Sequence, residues 1–231
     1  MQRYTFKIIY DLEKDIKNWI TAVREVEFAG KKWRDGLFGP YLREFDKISV
    51  MNDEEAKEEL QKYITANFYD KINKAKFMAM EQLSENFLSA CNYIEEITGR
   101  RLAFNRVKFL LTTFPRAPYS TENGSMYFCV FWENIISTFL HEMLHVQVYK
   151  YWRINPNSII SNLTEQEFLA LNESITFLAN GYNNMHNMQS DSGYPEYSEL
   201  RLELEEQWNR THDFERLLVF GVNYIKQKWC E

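Results

Sequence analysis

The sequence predicts an α+β fold that is predominantly helical, with a small antiparallel or mixed sheet placed before a motif-bearing helix and further helices on both sides. Three observations carry that expectation. Apolar residues recur at a period near 3.6 through much of the first hundred residues and again near the carboxyl end. Two short runs, Val107–Thr112 and Met126–Trp132, are instead rich in β-branched and aromatic residues. One uncharged, helix-compatible run contains His141-Glu142-Met143-Leu144-His145. At 231 residues the chain is long enough for one sizeable core, so a single catalytic domain is expected over 1–231. Its parts are a mainly helical stretch at 1–100, a core at 101–181 and a helical stretch at 182–231.

Taken in order, Tyr4–Tyr10 suits a short strand, and Asp11 can cap a helix carrying Leu12, Ile16, Trp19, Ile20 and Val23 on one face. Gly30, Gly36, Gly39 and Pro40 break the pattern, so 29–51 reads as irregular with one short helix near Tyr41–Phe45. From Asn52 to Thr98 an apolar stripe runs through Leu60, Ile64, Phe68, Ile72, Met80, Leu83, Phe87, Cys91 and Ile94, and Gly99 ends it. That length implies either a break near Phe68–Lys76 or one long packing helix. The two strand candidates follow, separated by a loop at Pro115–Gly124, and the motif helix spans Glu133–Tyr151. After a turn at Asn155–Ser158, a second helix runs from Asn162 or Thr164 to Leu178, with Asn180-Gly181 as its stop. Residues 182–197 are polar and turn-rich, and Ser198–Trp229 forms one or two helices interrupted near Thr211.

Aromatic residues make up 16 % and charged residues 26 %, which pairs large buried rings with a well-charged surface. A net charge of −6 disfavours binding to a phosphate backbone, so nucleic acid is not expected as a partner. The first eleven residues lack the apolar core of a signal peptide, and no run approaches the roughly 18 apolar residues of a spanning helix. Cys91, Cys129 and Cys230 are widely spread, which suits a reducing compartment and a cytoplasmic location. The Asn-x-Ser/Thr triplets at Asn123, Asn162, Asn172 and Asn209 then carry no glycan.

Residues four apart share a helix face, so His141 and His145 can aim two imidazoles at one point. A metal ion is the partner that spacing suits best, with Glu142 beside the pair and able to reach a water without ligating. One zinc ion is expected. A tetrahedral zinc that keeps one corner open needs a third protein ligand. Metzincin spacing would require Gly and His where Val148 and Tyr151 stand, which excludes that class. Glu165, Glu167 and Glu173 are the carboxylates on the next helix. Glu165 and Glu167 lie in the first turn, where the helix dipole already favours an acid. Glu173 lies mid-helix on an apolar stripe with Leu169, Ala170 and Phe177, where an unpaired acid would be costly. Glu173 is the preferred ligand and Glu165 the first alternative.

With Glu173 standing 28 residues after His145 on a second helix, the pattern resembles the gluzincin class of zinc metallopeptidases over roughly residues 105–180. The resemblance implies a zincin-like core in which His141, His145 and Glu173 hold zinc. It also implies that the strand before the motif helix, Ser125–Phe131, binds an extended peptide antiparallel. Glu142 would be the general base of peptide hydrolysis, acting on a peptide or protein substrate. Family members use a downstream His or Tyr for the oxyanion; here His212 ranks first, ahead of His186, Tyr182, Tyr194 and Tyr197. Arg153 could orient a substrate carboxylate, although the helix dipole already explains a basic residue there. After Glu173, the run Ser174-Ile175-Thr176-Phe177 lacks the acid some gluzincins carry, so support for a motif histidine is unassigned. Two other readings stand beside this one: a binding or scaffold protein with a weak or inactive pentad, and a mononuclear non-haem iron protein. A di-iron site would need a second E-x-x-H, but Asn183 and Asn209 stand three residues before His186 and His212.

Overall fold

A computed structural model describes residues 3–25, 27–28 and 31–228. Cys230 and Trp229, which entered the sequence reading above, lie outside them. The fold is α+β and predominantly helical. Strand β1 (Thr5–Tyr10) leads through Asp11, whose carboxylate accepts from Lys14 N, into α1 (Leu12–Glu25). Ile16, Trp19 and Val23 of α1 are buried as its periodicity requires. A two-residue antiparallel pairing of Glu27–Phe28 (β2) with Lys31–Lys32 (β3) follows. The region expected to be irregular then holds a helix of 11 residues, α2 (Gly39–Ser49). Pro40 fits its first turn, where the missing N–H has no helical partner to lose.

The long stripe breaks where expected. Helix α3 (Asp53–Asn67) ends at Phe68, and α4 (Tyr69–Thr98) continues to Gly99, which adopts φ 63°. A capping box at Asn52 and Glu55 starts α3. Met80 departs from the expected stripe and is exposed, because the buried face of α4 runs through Ala75, Ala79 and Leu83.

The expected antiparallel or mixed sheet is instead parallel throughout. Strands β4 (Arg106–Thr112) and β5 (Ser125–Cys129) join β1 in the order β1-β4-β5. Antiparallel neighbours can be joined by a tight turn, whereas parallel neighbours need a long crossover. Four α-helices, α1 to α4, supply it between β1 and β4, and residues 113–124 supply it between β4 and β5. That second crossover folds back on β5. Ser120 N donates to Ser125 O at 2.7 Å and Tyr127 N to Pro118 O at 3.0 Å, so Tyr119 opposes Met126 antiparallel.

Helix α5 (Ile135–Val148) carries the motif and packs against α4. Asn134 caps it by accepting from Ile136 N and Ser137 N, while Gln82 of α4 accepts from Ile135 N and donates to Glu133 O. Apolar side chains surround α5 except where Ser137, Thr138 and His141 face a cleft. The helix ends in a π turn at Tyr149–Arg153. Helix α6 (Glu165–Ser174) begins with a capping box of Thr164 and Glu167. Its path does not stop at Asn180-Gly181. It passes through a 3-10 turn at Ile175–Leu178 into α7 (Ala179–Met185). Gly181 is there for room, since a Cβ would overlap the hydroxyl of Tyr93, which donates to Leu178 O at 2.6 Å. Helices α8 (Ser198–Thr211) and α9 (Phe214–Lys228) pack on each other and on α6. No helix among the described residues is long and apolar enough to cross a membrane.

Candidate metal centre

His141, Glu142 and His145 form a cluster that could hold a metal ion, their potential ligand atoms all within 4.8 Å of one another. The helix explains the pairing: one turn separates the two imidazoles, and their Nε2 atoms stand 3.0 Å apart. Glu173, on the neighbouring α6, brings Oε2 to 3.5 Å from His145 Nε2 and 3.7 Å from His141 Nε2. Those separations are too long for good hydrogen bonds, so the buried Oε2 has no hydrogen-bond partner. Glu142 also belongs to the cluster, but Glu173 is the carboxylate that directly faces both ring nitrogens.

Behind His141 stands an acid that sequence reasoning missed. Asp191 Oδ2 accepts from His141 Nδ1 at 3.1 Å, which fixes the tautomer and leaves Nε2 with its lone pair toward the cluster. The ring of Tyr119 stacks on His145 at 5.4 Å, and the carboxamide of Asn172 is a further neighbour of that imidazole. The amide also donates to the Tyr119 hydroxyl at 3.5 Å.

The site gathers several buried ionisable groups. Burial raises the Glu142 carboxyl to about 8, against the opposing pull of His141, and Glu173 and Asp191 add to the rise. Burial also penalises charge on Glu173 and Asp191, but the adjacent imidazoles, and Arg201 beside Asp191, hold both below the usual carboxylate range. The imidazoles are correspondingly raised: burial lowers them, but Asp191 outweighs it at His141 and Glu173 at His145. Two carboxylates held ionised beside two imidazoles supply donor atoms suited to a cation.

The cluster lies on a cleft of about 990 Å³. Its wall includes Trp33, Phe131, Trp132 and Tyr194, and the Pro115–Tyr119 part of the crossover. Among the five residues considered for the oxyanion, Tyr194 is the one that lines this cleft. His212, ranked first, does not. It is the left-handed C-cap of α8 at φ 46°, with its ring against Trp208. His186 is exposed and stacks on Tyr182, whose hydroxyl pairs with Ser89. Glu165, the alternative ligand, pairs with Arg153 at 2.6 Å and its side chain is 88 % exposed. Arg153 is held further by the carbonyls of Ile160 and Leu163, so it closes a loop and is spoken for. Glu167 caps α6 and pairs with Lys226.

The edge of β5 differs from the resemblance's implication as well. Pro118–Ser120 already lies antiparallel along it, in the place foreseen for an extended peptide. Twelve residues between β4 and β5 are enough to cross the sheet end and return along its rim. Compared with protein-family models, curated proteins and solved structures, the chain gives no match.

Proposed function

We propose that this chain is a zinc-dependent peptidase in which His141, His145 and Glu173 hold the ion and Glu142 is the general base. The spacing of the three ligand atoms carries this reading. Ligands held at about 2.0–2.1 Å in a tetrahedron stand about 3.3 Å from each other. Here the separations are 3.0, 3.5 and 3.7 Å. The partnerless Glu173 Oε2 supports the same assignment, since a buried carboxylate oxygen without a donor is costly unless a cation faces it. Asp191 completes the arrangement by supporting a ligating histidine from behind.

Zinc bound there would polarise the scissile carbonyl and acidify water. Glu142 takes the proton from the attacking water as the new carbon–oxygen bond forms. It then delivers that proton to the leaving nitrogen as the carbon–nitrogen bond breaks. A carboxyl near neutrality suits both halves of that duty, and Glu142 sits at about 8 before any cation lowers it. Tyr119 and Tyr194 line the cleft, and burial keeps both phenols protonated, the form that suits a donor to developing negative charge.

Metal analysis of the purified chain, combined with cleavage of a mixed peptide library, tests the reading. One zinc per chain and chelator-sensitive cleavage are expected. Iron with oxygen consumption, or zinc without cleavage of any peptide, would overturn it.

A further inference from the structure

We propose that Arg201, on α8 and some sixty residues from the motif, is a positioning residue that holds the Asp191–His141 pair in register with Glu173; this rests on the metal reading above. Arg201 is 5 % exposed, so its donors are spent inside the protein. Nη2 donates to the Asp191 carbonyl at 2.6 Å, and Nη1 donates to Thr176 Oγ1 at 2.9 Å and stands 3.7 Å from Asp191 Oδ2. Thr176 in turn donates its hydroxyl proton to the Glu173 carbonyl at 2.8 Å. One planar fork therefore reaches the supports of two different ligands, the loop acid behind His141 and the helical turn that bears Glu173. A flexible ammonium has no such fixed fork.

The loop carrying Asp191 is fastened at the same point from its other side. Asn180 accepts from Asp191 N at 2.7 Å and donates to Asp191 O at 2.9 Å. Gly193 N donates to Asp191 Oδ1 at 2.9 Å. Gly193 itself takes φ +67°, and a Cβ there would come within 2.9 Å of Arg201 Nη1. The loop backbone is thus shaped to let the guanidinium pass. Without Arg201 a buried carboxylate would keep one imidazole as its remaining charged partner, and the loop would lose a carbonyl anchor. The imidazole would then be free to turn, and a ligand free to turn binds its metal less well.

A double-mutant cycle read by metal affinity tests the assignment. Zinc dissociation constants from chelator competition, and the visible absorption of bound cobalt, are measured for the full chain, Arg201→Met, Asp191→Asn and the double variant. Each single change is expected to weaken metal binding by about 10- to 100-fold. The double variant is expected to lose less than the product of the two single losses, because one arm of the Arg201 fork acts through the Asp191 carboxylate. The cobalt spectrum is expected to change in Arg201→Met, which a distant packing defect would not cause. If Arg201→Met fails to fold, Arg201→Lys carries the same cycle with a smaller loss, since it keeps the charge and gives up the fork. Unchanged affinity in the Arg201 variant, or losses that multiply in the double variant, would overturn the proposal while leaving the metal site standing. No binding by the unmodified chain would overturn both.

Discussion

Two side chains test the proposed metal binding and the proposed turnover separately. Glu142 belongs to the cluster but is proposed as the base and not as a ligand, so Glu142→Gln is expected to retain zinc and lose about 10²- to 10⁴-fold in peptide cleavage, the range for losing a general base. Metal content and initial rates on one peptide check it; undiminished cleavage would remove Glu142 from the reaction. Glu173→Ala is expected to lower zinc occupancy under dilution or mild chelation, and an unchanged occupancy would show that another group completes the ligand set. These residues were legible in the sequence for two distinct reasons. His141, Glu142 and His145 are joined by local helix geometry, which the covalent spacing already encodes. Glu173 stood out because an acid in an apolar stripe demands an explanation. Asp191 gave no such signal: it meets His141 from 50 residues away in a polar loop, and only the folded backbone brings the two together. His212 misled for the opposite reason, since its role as the left-handed end of α8 depends on a backbone angle that side-chain chemistry does not announce.

At the scale of the helix, the start of α6 controls how Glu173 is presented. Glu167 accepts from Thr164 N and pairs with Lys226 at 2.8 and 3.0 Å, tying α6 to α9. The Lys226 ammonium and the capping amide hold the Glu167 carboxyl down at about 2, against an ordinary value of 4.5. A depressed folded-state value means that the stabilisation is present above about 4.5 and is lost as pH falls toward 2. Glu167→Gln keeps the capping acceptor and removes the charge. The variant is therefore expected to melt lower than the parent by about 2–4 °C at neutral pH, from roughly 1 kcal/mol after water screens the half-exposed Lys226. That gap should close as the buffer is taken from about pH 5 to pH 2; a gap independent of pH would assign the effect to packing. Element identities were mostly readable, because long periodic stretches report their own buried face. The exceptions have physical causes. Pro40 reads as a breaker yet opens α2, where its missing N–H is harmless. Gly181 reads as a stop yet lies within α7, because the space it leaves is filled by Tyr93 from α4.

For the molecule as a whole, the candidate metal centre and the core are one structure: α5 is buried on most sides and α6 packs against α8 and α9. Ligand binding to the native state alone stabilises it, by about 2.7 kcal/mol at a hundredfold excess over the dissociation constant. For a chain of this size zinc is expected to raise the melting temperature by about 5–10 °C over chelator-treated protein, and Glu173→Ala should blunt that rise. Calorimetry with and without zinc gives the comparison. Sheet direction was the large-scale property the sequence hid. Whether neighbouring strands run alike depends on where each connection crosses, and neither β-propensity nor alternation records that. The parallel partnership of β1 with β4 also sets a clock. Thr5 waits for Arg106, about a hundred residues later in synthesis, before the sheet under the motif helix can close. Contacts that distant are slow to form, since the intervening chain must surrender its freedom first. A nascent chain thus displays its helices well before the cleft beside His141 and His145 has its sheet, and the candidate centre is completed only when the oldest and newer segments meet.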